Sequence, residues 1–197
     1  MAYTPDQFYL LGAGIEYGAM SQYVKEYPER VKDKVQYDFD LLAGKEGSAK
    51  PVIFGHNGGT RPKDFMSANP PILLISDRVV EVLKKGRFTG WSTFPARVFN
   101  KKREEVSGYS GLVVTGKCGP IDDSKSEWVQ VPASEKYGSY RARYGYYFDL
   151  KMWDGSDIFL AEGTGVRFVT ERVAEALESA KLTNLELIKS TEFERMW

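Results

Sequence analysis

The chain predicts an α+β fold with a mixed, mainly antiparallel sheet, in which one strand–helix–strand unit is used twice, over about residues 72–94 and 166–188. Three observations carry this. The segment Ile72 to Phe94 aligns residue for residue, without a gap, on Val166 to Ile188. Each copy has short apolar runs on either side of a stripe at helical spacing. Between the copies the chain alternates large and polar side chains in the manner of strands.

The matched pairs Arg78/Arg172, Val79/Val173, Glu81/Glu175, Leu83/Leu177 and Thr89/Thr183 are identical, and Ile75/Val169, Ser76/Thr170 and Asp77/Glu171 are chemically equivalent. In each copy the first apolar run suits a strand. Ser76 or Thr170 then stands where an N-cap oxygen would accept from an unpaired helical N–H. Asp77 or Glu171 follows in the first turn, where the helix dipole favours negative charge. Val79, Val82 and Leu83 form one apolar stripe, and Val173, Ala176, Leu177 and Ala180 form the other. Gly86 marks the end of the first helix. Strands resume around Trp91 to Phe94 and Leu185 to Ile188.

Gly111 to Gly116 and Tyr140 to Tyr146 also read as strands. Tyr147 to Trp153 is expected to continue the latter into a hairpin at Asp154-Gly155, with Ser156 to Ala161 returning. The first seventy residues are less regular. Phe8 to Leu11 suits a strand, Met20 to Val35 has helical stretches interrupted by Pro28, and Gly44 to Pro71 reads as a long irregular connection. With 197 residues, the reading is one α+β domain over 1–197, with 1–70 a less regular N-terminal segment and 71–197 the repeat-containing core.

Charge and cysteine content narrow the function classes. The 27 basic and 27 acidic residues cancel, which argues against a nucleic-acid partner, since phosphate binding needs a basic excess. Cys118 is the lone cysteine, so no intrachain disulfide or thiolate-rich metal site forms. The N-terminus lacks a signal-like apolar run, and no stretch approaches the roughly 20 apolar residues that span a bilayer. These features give the expectation of a cytoplasmic protein without membrane association, with homo-oligomerisation left open.

No catalytic set emerges. Gly12-Ala13-Gly14 with Gly18 misplaces the third glycine of a dinucleotide fingerprint, so a glycine turn is the better reading and no cofactor is expected. Asp149, Asp154 and Asp157 are better explained by turn chemistry than as cation ligands. His56, the single histidine, lies in a glycine-rich segment with Asn57 and Arg61, which makes these three the alternative ligand loop of an enzyme or small-ligand protein. The tyrosine- and arginine-rich stretch fits a protein interface, where Tyr, Trp and Arg are the usual anchors. Its candidate contacts are Tyr137, Tyr140, Arg141, Arg143, Tyr144 and Trp153.

The run Pro70 to Leu83, the following Phe94-Pro95, and Trp153 to Phe159 leading into Val169 to Val173 resemble a bacterial family of immunity-like proteins of polymorphic toxin systems. That family is related to the double-CXXCG motif proteins of myxobacteria. The resemblance covers about residues 70–190, and its motifs are structural. It implies a small cytoplasmic protein that binds and neutralises a partner toxin, and it implies no catalytic residues. The paired CXXCG motifs are absent here, so no zinc-ribbon feature carries over.

Overall fold

Alternating apolar side chains become strands wherever both faces of the backbone find something to bury against, and this chain does so fifteen times among the residues described. The computed structural model describes residues 3–46, 50–69, 71–133 and 138–196. In chain order the elements begin with β1 (Phe8–Ala13), β2 (Ser21–Val24), α1 (Lys34–Leu42), β3 (Val52–Gly58) and β4 (Phe65–Ala68). The first repeat copy follows as β5 (Ile72–Ser76), α2 (Asp77–Lys85) and β6 (Trp91–Phe99). Then come β7 (Glu105–Val106), β8 (Tyr109–Val114), β9 (Gly116–Cys118), β10 (Glu127–Val131) and β11 (Tyr140–Tyr144). The chain continues with β12 (Ile158–Ala161), β13 (Arg167–Thr170), α3 (Glu171–Ser179), β14 (Leu185–Lys189) and β15 (Glu194–Met196).

The strands form three sheets. One runs β3-β2-β4-β5-β8-β6, with β7 beside β6, and closes on itself because the second half of β6 pairs in parallel with β3. Its inward face carries Val24, Phe54, Met66, Leu74, Phe94 and Val98, packed as a solid core under α1. A five-stranded sheet has the order β14-β1-β13-β12-β9. Between it and the barrel lie α2 and α3, burying Val79, Leu83, Val173 and Leu177 with Phe65, Leu73, Ile75 and Val169. This explains the unbroken Ile72-Leu73-Leu74-Ile75 run: alternate side chains enter two different cores. The other face of the five-stranded sheet holds an aromatic core of Phe8, Phe148, Phe159 and Phe168, with centroids 5.1–5.5 Å apart. The third sheet is β10-β11-β15.

The duplication is present in space, and it is larger than the aligned segments. Asp64 at the start of β4 accepts from Ser76 Oγ (2.7 Å) in its own copy and from Thr183 N (2.8 Å) and Oγ1 (2.9 Å) in the other. Asp157 before β12 repeats the pattern with Thr170 Oγ1 (3.4 Å) and with Thr89 N (2.9 Å) and Oγ1 (3.0 Å). Arg78 pairs with Asp64 and reaches Ala180 O, while Arg172 pairs with Asp157 and reaches Gly86 O. Asp64 to Ala68 (DFMSA) and Asp157 to Ala161 (DIFLA) are therefore an upstream extension of the repeat. Each copy also has a fourth strand. In the first it is β8, which pairs Tyr109 with Ser76 and Val114 with Trp91. In the second it is β1, from the start of the chain, which pairs Phe8 with Thr170 and Ala13 with Leu185.

Several local expectations are corrected. Ser76 and Thr170 stand at the N-cap positions, but neither makes a side-chain cap bond. Their hydroxyls instead donate to Asp64 and Asp157, where an ionised acceptor makes the bond stronger than one between neutral groups. Gly44 to Pro71 is not an irregular connection, since it holds β3 and β4. Its glycines answer to close approach: a Cβ on Gly59 (φ 64°) would lie 1.9 Å from Ala19 O, and one on Gly55 would meet the Tyr23 ring. Met20 to Val35 gives β2 instead of helix, and α1 begins after Asp33, whose carboxylate accepts from Gln36 N. Tyr147 to Trp153 is not a strand. Phe148 enters the aromatic core, and β12 pairs with β13 and, in parallel, with β9. Gly12 lies at the end of β1 and Gly14 to Gly18 lead into β2, so a strand and not a helix follows the glycines.

Candidate interaction surface

The β10–β11 register decides which side chains share a face. Trp128 stands opposite Arg143 and Gln130 opposite Arg141, so these four project to one side. The Trp128 ring carries the Arg143 guanidinium at 4.5 Å and that of Arg141 at 4.9 Å. Arg143 also pairs with Asp123 at 2.7 Å. On the opposite face, Ala142 is fully buried, and Tyr140 and Tyr144 both donate to Glu194 of β15, each at 2.8 Å. The hydrogen bond to Glu194, followed by desolvation, holds the Tyr144 phenol above its ordinary value. Trp128 is 44% exposed and Val129, on the other face, is 39% exposed. β10 is the outer strand of its sheet among the described residues, and it shows apolar side chains to solvent on both faces.

The structure thus brings Tyr140, Arg141, Arg143 and Tyr144 onto one strand and keeps Trp153 elsewhere. Trp153 is half-buried in the aromatic core, edge-on to Tyr3 (4.9 Å) and Phe8 (5.2 Å), with Nε1 donating to Ser156 O at 3.0 Å. Tyr137 lies outside the described residues. Trp128, Val129 and Glu194 complete the arrangement and were missed from sequence. The run Glu127-Trp128-Val129-Gln130-Val131 alternates polar with aromatic or β-branched residues and carried the signal for this strand.

The alternative ligand residues sit near one another at one end of the barrel. His56 belongs to β3, opposite Gln22, and its Nε2 donates to Gly59 O at 2.5 Å. Asn57 and Arg61 are exposed, and Arg61 bridges to Ala19. A cleft of about 760 Å³ lies between α1 and the β9–β12 edge, and a cavity of about 190 Å³ lies beside the β1–β14 edge. Neither is lined by His56, Asn57 or Arg61. Cys118 is buried at the wall of the larger cleft, where burial, and secondarily the Asp154 charge, pushes its thiol up to about 12.

The three aspartates do separate work. Asp149 accepts from Lys151 N, Asp154 from Lys117 N and Ser156 N, and Asp157 belongs to the inter-copy clasp. Among the described residues, no three His, Cys, Asp or Glu side chains converge as a cation site, and no helix is long and apolar enough to cross a membrane. No protein-family model matches this chain, and no curated protein sequence matches it.

Proposed function

We propose that this protein is a non-enzymatic protein-binding module that works in the cytoplasm as an immunity-like protein, occluding a surface of a partner toxin with its β10–β11–β15 sheet. The observation that carries the binding surface is the Trp128 ring held beside Arg141 and Arg143 on an outer strand that is exposed on both faces. An aromatic anchor already stacked with guanidinium groups loses little side-chain freedom on binding, and Trp and Arg are the residue types that dominate interface energetics. β10 is an outer strand among the described residues, and a strand added along it would meet Trp128 on one face and Val129 on the other. The class of partner rests on the family resemblance of residues 70–190.

The test is direct binding between this chain and the product of the neighbouring gene, measured by titration calorimetry. A Trp128→Ala variant is expected to bind at least about tenfold more weakly while melting within a few degrees of wild type, because an exposed aromatic contributes little to folding. Undiminished binding by Trp128→Ala overturns the surface. A neighbouring product that is neither toxic nor bound overturns the immunity reading.

A further inference from the structure

Residues 14–19 join β1 to β2 and are pinned along their length. Gly14 N donates to Asn184 O (2.8 Å), Glu16 N to Asn184 Oδ1 (3.1 Å), and Ala19 N to Glu16 O (2.9 Å). The Glu16 carboxylate accepts from Asn184 N and pairs with Lys63, and Gly18 O accepts from Thr60 N and Arg61 N, each at 3.0 Å. With Glu16 drawn back onto the fold, its two neighbours are turned outward. Ile15 is 98% exposed and Tyr17 is 92% exposed, the two most exposed large apolar side chains among the described residues. Arg61 lies alongside, its Cδ within 3.7 Å of the point where a Cβ on Gly18 would stand, and it has no ion pair among the described residues. A rigid loop presenting an aliphatic and an aromatic side chain beside an uncompensated cation is a preformed contact, since ordering it on binding costs little.

The same chain carries a complement. The cleft of about 760 Å³ between α1 and the β9–β12 edge is lined by polar side chains as well as by the apolar Phe39, Leu42 and Leu160, with Met152 54% exposed at its margin. Its lining includes Glu162, an exposed carboxylate without an ion pair among the described residues, and the exposed Lys117. In the cleft, Ile15 and Tyr17 would find Phe39, Leu160 and Met152, and the Arg61 guanidinium would find the Glu162 carboxylate.

We infer that the occupant of the cleft is the Ile15–Tyr17 loop of a second copy of this chain, in a head-to-tail contact. A head-to-tail contact uses two different surfaces of one molecule, and where it does not close on itself it leaves a free loop and a free cleft at the ends and extends beyond a dimer. The apolar contact is small, which makes the association weak, with a dissociation constant on the order of 0.1 mM. The inference requires neither a toxin partner nor the β10–β11 sheet, so it stands or falls apart from the proposed function.

Sedimentation equilibrium of the full chain from about 10 µM to about 1 mM, spanning that constant, tests it. Wild type is expected to show a mass that rises with concentration past the dimer. Tyr17→Ser, which keeps the cleft, and Glu162→Lys, which keeps the loop, are each expected to stay monomeric with native circular dichroism. Mixed in equal amounts, the two variants are expected to form a dimer and nothing larger, through the one intact loop and the one intact cleft. A wild type that remains monomeric throughout overturns the inference. So does an association that Tyr17→Ser abolishes and Glu162→Lys leaves unchanged, or a mixture of the two variants that does not dimerise.

Discussion

Replacing Asp64 with alanine removes the acceptor that ties the two copies together, and the cost can be worked from its partners. The side chain is 6% exposed and accepts from Ser76 Oγ, Arg78 Nη1, Thr183 N and Thr183 Oγ1 at 2.7–2.9 Å. Arg78 is 58% exposed and rehydrates when the carboxylate goes, so its share is discounted. The Thr183 N–H and the Ser76 hydroxyl are left in a buried setting, at about 1–3 kcal/mol each for an unsatisfied donor. The expected loss is about 3–5 kcal/mol, in the range for breaking one side of a buried charge pair. For a chain of this size each kcal/mol is worth roughly 2–4 °C, so Tm should fall by about 6–20 °C. Asp157 is the internal control. Its bonds to Thr170 and Arg172 are longer, at 3.4 and 3.5 Å, so Asp157→Ala should cost less.

Urea denaturation with an unchanged m-value is the assay, and the double variant Asp64→Ala/Thr183→Val should lose less than the sum of the two single losses, because both remove the same interaction. The pH dependence has a definite sign. Burial raises the Asp64 carboxyl, but the Thr183 N–H and hydroxyl, the Ser76 hydroxyl and Arg78 together bring it below the ordinary 3.8. A depressed folded value stabilises the fold at neutral pH, and that contribution disappears as pH falls below about 4. A loss under about 1 kcal/mol for Asp64→Ala, or strict additivity with Thr183→Val, would refute the clasp as a stabilising link between the copies.

Asp38 should show the opposite trend. It is 5% exposed, its Oδ2 accepts from Tyr27 and Asn69, its Oδ1 has no partner among the described residues, and burial raises its value. A raised folded value favours the fold at low pH and loses that advantage as pH rises, so wild type should lose ground to Asp38→Asn between about pH 4 and pH 7 in urea melts; a constant difference contradicts this. Cys118, 4% exposed with its thiol pushed up to about 12, should react with a thiol reagent at least about 100-fold more slowly in native than in urea-unfolded protein at pH 8. Equal rates would mean that the thiol is accessible. Gly111→Ala places a Cβ 1.9 Å from the Phe94 ring inside the barrel, and overpacking there should cost about 1–3 kcal/mol by thermal melting; an unchanged Tm would show that the Phe94 ring yields freely.

The repeat was legible because cap, helix and strand signals are local. Ser76-Asp77 and Thr170-Glu171 announce helix starts within a few residues, and the apolar stripes behind them enter the core that α2 and α3 share. The short strands β3 and β4 were not legible, since β4 has only four residues and β3 is interrupted by Gly55, whose reason is Tyr23, a neighbour distant in sequence. The candidate surface was half visible. The Tyr140 to Tyr144 strand stands out by composition, whereas Trp128 becomes its partner only through the β10–β11 register. Trp153 shows the reverse case, an aromatic that composition assigns to an interface and packing draws half into a core.

By itself the sequence determined the α+β class, the two strand–helix–strand copies and the strand character of Tyr140 to Tyr144, all properties of spacing and residue type within about twenty neighbours. Tertiary structure alone decided that the copies hold each other through Asp64 and Asp157, that β1 completes the second copy, and that the barrel closes through β3 and β6. Asp64 and Thr183 stand 119 residues apart. A hydrogen bond or strand pairing of that span leaves no periodic trace, because its partner is chosen by where the whole chain has already placed the backbone.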